Sequence, residues 1–303
     1  MKKWVVKFWT PGALPEDDGM TFGCAVHGFC TPTRWVDPGA SEIAAWEQML
    51  SGEVLGGTYL QVLDDLKGIG FRPSAVIAFF SRNLGVEGFI HSCRAVLVQT
   101  PMVGGVAALG QGQKSGGVLP KAEEVVLLLL DEDKYDIKTM NVHDSKGVQV
   151  EIRKDGERVI KKIRVHPGSE WVNALDFYSS RRESENIPAD DFECLTFSDL
   201  AGVNVHCSSI EGGLKTGANL PENDTMVLRG TDTGLVTTRL QDWVAAQGAL
   251  VFCCAGLRKL IRMPLKTGYG TLAGFMFGEL VTIDKTPMFG NLMVARLRRS
   301  AVE

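Results

Sequence analysis

The sequence is short of the features that mark membrane, secreted and nucleic-acid-binding chains. Its longest apolar runs, Val125 to Leu130 and Ala249 to Leu257, fall well below the ~18 residues a helix needs to cross a bilayer, so no membrane partner is expected. The N-terminus begins Met1-Lys2-Lys3, but Lys7 interrupts the apolar stretch from Trp4 to Phe8. The uninterrupted apolar core of an export signal, about 7 to 15 residues, is therefore missing. Lys and Arg number 32 against 36 Asp and Glu, a formal net charge of -4. That balance offers no basic stripe to a phosphate backbone, and nucleic acid is not an expected partner. The short C-terminal run of Arg296, Arg298 and Arg299 reads as a solvated end. Seven cysteines at irregular spacing do not form a disulfide framework. Cys93, Cys253 and Cys254 sit in apolar runs, where a thiol behaves as a small buried hydrophobe, and the pattern points to a reducing, cytoplasmic compartment.

Signatures of catalysis are equally scarce. Gly104-Gly105, Gly110, Gly112 and Gly116-Gly117 match neither the phosphate loop nor the dinucleotide fingerprint, and read as a flexible connector. There is no G-x-S-x-G elbow and no helix with paired histidines. Cys24-x-x-His27-x-x-Cys30 has ligand-type side chains but lacks the second pair that a structural zinc site requires. His206-Cys207 follows the alternating Val203 and Val205, which suits a partly buried structural histidine in a strand.

What the sequence has is material for a core. Hydrophobic residues make up 45% and charged residues 22% of 303, enough for two domains or two packed halves. A first strand at Trp4 to Phe8 precedes an irregular stretch over residues 9 to 40. Ser41 is a plausible cap for a helix with Ile43, Trp46 and Leu50 on one face, and a second helix is expected over Tyr59 to Leu66. From Ala75 the pattern changes to short apolar runs that suit strands buried on both faces: Ala75 to Phe80, Arg94 to Val98, Met102 to Ala107 and Val125 to Leu130. Asp155-Gly156 between Val148 to Arg153 and Val159 to Val165 predicts a hairpin. The chain restarts near His166-Pro167-Gly168, which sets an expected division into 1–165 and 166–303. Beyond it, a helix is expected over Trp171 to Tyr178, short strands over Cys194 to Leu228, and a helix carrying Val236, Leu240, Trp243 and Val244.

One order of elements occurs twice. Strand Ala75 to Phe80, the run Thr100-Pro-Met-Val-Gly-Gly and strand Val125 to Leu130 are echoed by strand Ala249 to Cys253, the run from Thr271 to Gly278 and strand Leu292 to Leu297. The expected fold is α/β, with two similar halves, each a mixed sheet with covering helices, and clefts between such halves are common ligand sites. Two segments carry the candidate chemistry. Cys253-Cys254-Ala255-Gly256 ends a buried strand, where backbone N–H groups make a thiol nucleophilic or ligand-competent, or where both thiols simply fill the core. Gly274-Phe-Met-Phe-Gly278-Glu279 places a lone acid after two glycines, either in a cleft or paired, with Arg258 the nearest suggested partner.

The segment Ala249-Leu-Val-Phe-Cys-Cys-Ala-Gly256, then Leu272-Ala-Gly-Phe-Met-Phe-Gly-Glu-Leu280, then an Asn291-led strand, resembles the C-terminal half of FIST domains (F-box and intracellular signal transduction). Ala75-Val-Ile-Ala-Phe-Phe-Ser81 with Pro101-Met-Val-Gly-Gly105 is similar to the N-terminal half, so the resemblance spans about residues 70 to 300. It departs from the family at Leu257, where an Arg is usual and Arg258 follows one place later. The resemblance implies an intracellular sensory module that binds a small ligand and relays it to a signalling or ubiquitin-ligase-type partner. Some such relatives bind haem, which makes haem one candidate cofactor. It marks Cys254, Gly256, Gly274, Gly278 and Glu279 as ligand-binding positions, with Arg258 beside them. Two alternatives stand beside it: a non-catalytic adaptor with a degenerate cleft, and a thiol-dependent enzyme using Cys254.

Overall fold

The structure is a computed structural model that describes residues 4–10, 21–30, 35–50, 52–81, 85–106, 124–131, 135–141, 147–166, 168–184, 195–198, 204–217, 220, 225–230, 233–257, 261, 263–276, 278–283, 286–290 and 293–299. The fold is mixed α/β, with strand predominating. It divides into two compact units, Met1–Met140 with Thr237–Glu303, and Asn141–Val236. The chain opens with β1 (Val5–Trp9), β2 (Thr21–His27), β3 (Phe29–Cys30), β4 (Trp35–Val36), α1 (Ala40–Met49), β5 (Gly52–Thr58) and α2 (Tyr59–Lys67). It continues through β6 (Ala75–Phe80), α3 (Val86–Cys93), β7 (Met102–Val106), β8 (Glu124–Leu130) and β9 (Tyr135–Asn141). The second unit holds β10 (Val148–Lys154), β11 (Val159–Val165), β12 (Val172–Asn173), α4 (Ala174–Ser184), β13 (Leu195–Ser198), β14 (Asn204–Ile210), β15 (Gly213–Thr216) and β16 (Thr225–Gly230). Then come α5 (Thr233–Val244), β17 (Ala249–Cys254), β18 (Leu265–Lys266), β19 (Leu272–Met276), β20 (Glu279–Ile283), β21 (Thr286–Gly290) and β22 (Met293–Arg299).

In the first unit β6 and β17 are buried along their whole length, which accounts for their unbroken apolar sequences. β6 runs parallel to β7 and antiparallel to β8; β17 runs parallel to β19 and antiparallel to β22. Ala78 lies opposite Gly104 as Phe252 lies opposite Gly274. Each strand triplet is the centre of a six-stranded sheet, ordered β21-β20-β7-β6-β8-β5 and β1-β2-β19-β17-β22-β9. The flanking strands come from elsewhere in the chain. β20 follows β19 in sequence yet pairs with β7, and β2 from the N-terminus pairs with β19.

The two sheets share one core. Ile77 and Phe79 from one and Leu250 and Phe252 from the other lie in it, and the rings of Phe79 and Phe252 are 6.2 Å apart. Residues of opposite parity, Val76, Ala78 and Phe80, pack instead with Tyr59, Val62 and Leu66 of α2 and Phe89, Ile90 and Cys93 of α3. Each Val, Leu, Ile and Phe among them contributes about 1.5 to 3 kcal/mol by leaving water. Trp46 of α1 reaches the inter-sheet core, and its indole N–H donates to Gly270 O at 2.7 Å.

Local details differ from expectation in several places, and the C-terminal run of Arg296 and Arg298, read as a solvated end, lies in β22 paired with β17. The cap of α1 is Gly39 rather than Ser41, because the Glu42 carboxylate accepts from Gly39 N–H at 3.0 Å. Arg94 to Val98 is no strand. It leaves α3 in tight turns, with Leu97 N–H bonded to Cys93 O at 2.7 Å, and Leu97 completes a helical face with Phe89, Ile90 and Cys93. The stretch read as irregular contains β2, whose Phe22, Cys24 and Val26 are buried in the core. Trp171 lies ahead of the helix expected there, which begins at Ala174 after β12.

The second unit is a six-stranded antiparallel barrel. Its order is β10-β16-β13-β14-β15-β11, closed by pairing of β10 with β11, with β12 alongside β11. Val150, Ile152, Ile160, Ile163, Phe197 and Cys207 point inward with Tyr178 of α4, and closure removes the unpaired edges of an open sheet. The hairpin turns at Gly156, whose φ of 82° suits glycine. The division expected between residues 165 and 166 falls inside this unit. On the outer surface the Glu151 carboxylate accepts from Arg164 at 2.6 Å and lies 2.7 Å from His166 Nδ1. These two partners, His166 first, hold the Glu151 carboxyl below the usual carboxylate range.

Three outcomes follow from these arrangements. Gly104 has φ +130°, and a Cβ there would lie 2.1 Å from Ala78 O. Gly104→Ala is expected to cost about 2 to 4 kcal/mol in urea unfolding. Gly156→Ala, whose Cβ meets nothing within 4 Å, should cost only about 1 kcal/mol. Because the folded carboxyl of Glu151 is depressed, its contribution is complete above the ordinary value of 4.5 and is lost as pH falls through the lower folded value. Melting curves taken from pH 5 downward should therefore show the wild type losing more stability than Glu151→Gln.

Candidate functional site

Strand alternation decides which candidate residues can meet. Cys254 is in phase with Leu250 and Phe252, and Gly274 with Leu272 and Met276, so both project from the inner face of their sheet. Glu279 is in phase with Val281 and projects from the inner face of the other. Cys253 points the opposite way. Gly256 follows β17 at a half-buried position beside the equally half-buried Ala255. Cys254, Gly274 and Glu279 thus occupy the inward faces of their strands, and Gly256 is half-buried after β17. Arg258 lies outside the described residues.

The chain changes sheets within this motif. Met276 O accepts from Ala255 N–H at 2.8 Å beside β17, and two residues later Gly278 O accepts from Val106 N–H at 3.0 Å beside β7. The crossing needs Gly278, which has φ +105° and where a Cβ would lie 2.4 Å from the Phe289 ring. Glu279, the next residue, is wholly buried, and Gly278 N–H donates to its Oε1 at 3.2 Å. A carboxylate taken out of water costs several kcal/mol unless hydrogen bonds or charge compensate it. The arrangement can offer a donor-bearing or cationic group a fixed acceptor, or it can anchor the crossing itself.

Two residues not expected to contribute also belong to this region. The Sγ of Cys24 lies 2.7 Å from where a Gly274 Cβ would stand. Thr282 Oγ1 accepts from Met102 N–H at 2.8 Å and donates to Met102 O at 2.9 Å, fastening β20 to β7. Neither is visible in sequence, because each contact spans well over a hundred residues. The pairing of Cys24 with His27 dissolves. Cys24 faces the core, while His27, three positions on, faces the other side with its ring 5.5 Å from that of Phe275. Among the described residues no three His, Cys, Asp or Glu side chains are grouped to hold a metal. The side chain of Cys30 and the glycines at 110, 112, 116 and 117 lie outside the described residues. His206 lies on β14, and burial lowers its pKa, so it is held neutral; a Gly217 Cβ would collide with its ring at 2.5 Å.

Three buried thiols share one electrostatic state. Burial pushes Cys93 and Cys207 up to about 12, the latter partly offset by a hydrogen bond with Tyr178, and drives Cys24 higher still. Among the described residues no helix is long and apolar enough to cross a membrane. A comparison with family models finds no match, and a comparison with curated proteins finds none either.

Thiols held this far above neutral pH carry almost no thiolate. Iodoacetamide at pH 7.5 should leave Cys24, Cys93 and Cys207 unmodified in the folded protein and modify all three after denaturation. Peptide mass mapping that finds any of them labelled in the native protein would contradict this burial.

Proposed function

We propose that this chain is a FIST-like recognition module that binds a small ligand between its two sheets and passes the binding event to a protein partner. The observation that carries the reading is the fully buried Glu279, which follows the positive-φ Gly278 and is in phase with the core residue Val281. A ligand supplying a cation or hydrogen-bond donors would add to the hydrogen bond that this carboxylate already accepts from Gly278 N–H. The same proposal takes the strand triplets centred on β6 and β17 as copies of one unit, each half a mixed sheet with covering helices. Their common order and direction support it. Gly256 and Arg258 complete the proposed ligand-binding positions, and haem is the cofactor that the family resemblance suggests.

A second reading draws on a different observation. The room beside Gly274 is already filled by Cys24 Sγ, and the room beside Gly278 by the Phe289 ring. Glycines whose space is taken by the protein's own side chains suit a closed, structural crossing, and hence an adaptor that works through its surface.

Native mass spectrometry with an absorption spectrum separates the two. The sensor reading expects the purified protein to carry a small molecule, or a Soret band if the molecule is haem, whose occupancy drops in Glu279→Gln while the melting temperature of the ligand-free forms stays similar. Equal occupancy in both proteins would overturn the site, and a bare chain joined to a stable protein partner would establish the adaptor.

A further inference from the structure

The outer face of the barrel carries a cationic arrangement that the fold leaves unbalanced. The antiparallel register of β10 and β11 sets Arg153 directly opposite Lys162, both exposed, and like charges so placed repel. The acid on the same face, Glu151, is already engaged by Arg164 and His166. Neither Arg153 nor Lys162 has a carboxylate within ion-pair distance among the described residues. Arg153 is nevertheless held in place: its guanidinium carbon sits 4.3 Å from the centroid of the Trp171 ring, and that of Arg164 sits 4.7 Å from the same ring. Stacking fixes the plane of a guanidinium while leaving its N–H edge free to donate. The result is a pre-oriented fork beside a second, exposed cation, on a surface anchored by a half-buried tryptophan.

We propose that the face formed by Arg153, Lys162 and Trp171 docks an acidic segment of a partner protein, two of whose carboxylates meet the two cations. Three considerations select this occupant. The face belongs to the exposed outside of the barrel wall, whereas small ligands are held in concave pockets. Two uncompensated cations on a chain of net charge -4 are too few for nucleic acid, whose binders neutralise roughly 6 to 10 phosphates. Arg and Trp are the side chains that most often anchor protein interfaces. The surface lies wholly within the second unit and does not depend on the small-ligand reading above.

The test uses the full chain and fluorescence anisotropy at low ionic strength. The probes are a labelled peptide of alternating glutamate and threonine, its glutamine counterpart, and a single-stranded oligonucleotide. The glutamate peptide should bind, the glutamine peptide should not, and the double variant Arg153→Gln/Lys162→Gln should weaken binding by about tenfold or more. Relief of the repulsion between the two cations offsets the lost stacking of Arg153 on Trp171, so the variant should melt within a few degrees of the wild type and lost binding is told apart from lost fold. Binding of the glutamate peptide that is absent, or unchanged in the double variant, would overturn the proposal. So would tighter binding of the oligonucleotide than of the peptide.

Discussion

Strands β6 and β17 are each covered on both faces and hydrogen-bonded on both edges, and the first unit is arranged around that condition. A strand in this position has no contact with solvent, so every side chain must be apolar or internally satisfied and every backbone group must find a partner. The inner faces of the two strands meet through Phe79 and Phe252, and the outer residues of β6 lie beneath α2 and α3. Filling both sides of β6 requires helices on one side and the second sheet on the other. The glycines that face these strands serve the same end, since Gly104 and Gly274 let neighbouring groups approach closely.

The exchange of strands between sheets follows from the same economy of edges. A sheet centred on three strands would expose unpaired groups on its flanks. The fold covers them with β20 and β21 on one side and with β1 and β2 on the other, each drawn from the opposite end of the chain. That exchange forces the backbone to pass from one sheet to the other between Met276 and Glu279. Only a residue tolerating φ +105° beside an aromatic ring fits at Gly278, and the acid that follows is delivered into the interior. The site and the architecture therefore share one cause. Glu279 is buried because the chain crosses from one sheet to the other beside it.

The barrel solves the edge problem by closure. With its interior filled by alternating residues and capped by Tyr178, it needs little from its outer wall, which is free to carry charge. The Glu151, Arg164 and His166 cluster uses that freedom to neutralise one part of the wall, while Arg153 and Lys162 are left facing solvent.

Much of this was legible in the residues. Strands buried on both faces announced themselves as apolar runs; β6 and β11 coincide with the spans read from sequence, and β17 runs one residue further. The repeated order around β6 and β17 was visible because it is local, each triplet being a short stretch of chain. β2 was missed because its alternation is hidden among glycines and flanking irregular sequence, and Arg94 to Val98 was mistaken for a strand because a brief apolar run has no period of its own. At the candidate site, neighbours along the chain were enough to place Cys254 at the end of one strand and Glu279, after Gly278, at the end of another. Only the tertiary structure decided which of them face one another, that Cys24 fills the space beside Gly274, and that Glu279 is sealed from water. Those facts depend on strand exchange between distant segments, and a linear pattern specifies which face a residue occupies but not which strand will lie against it.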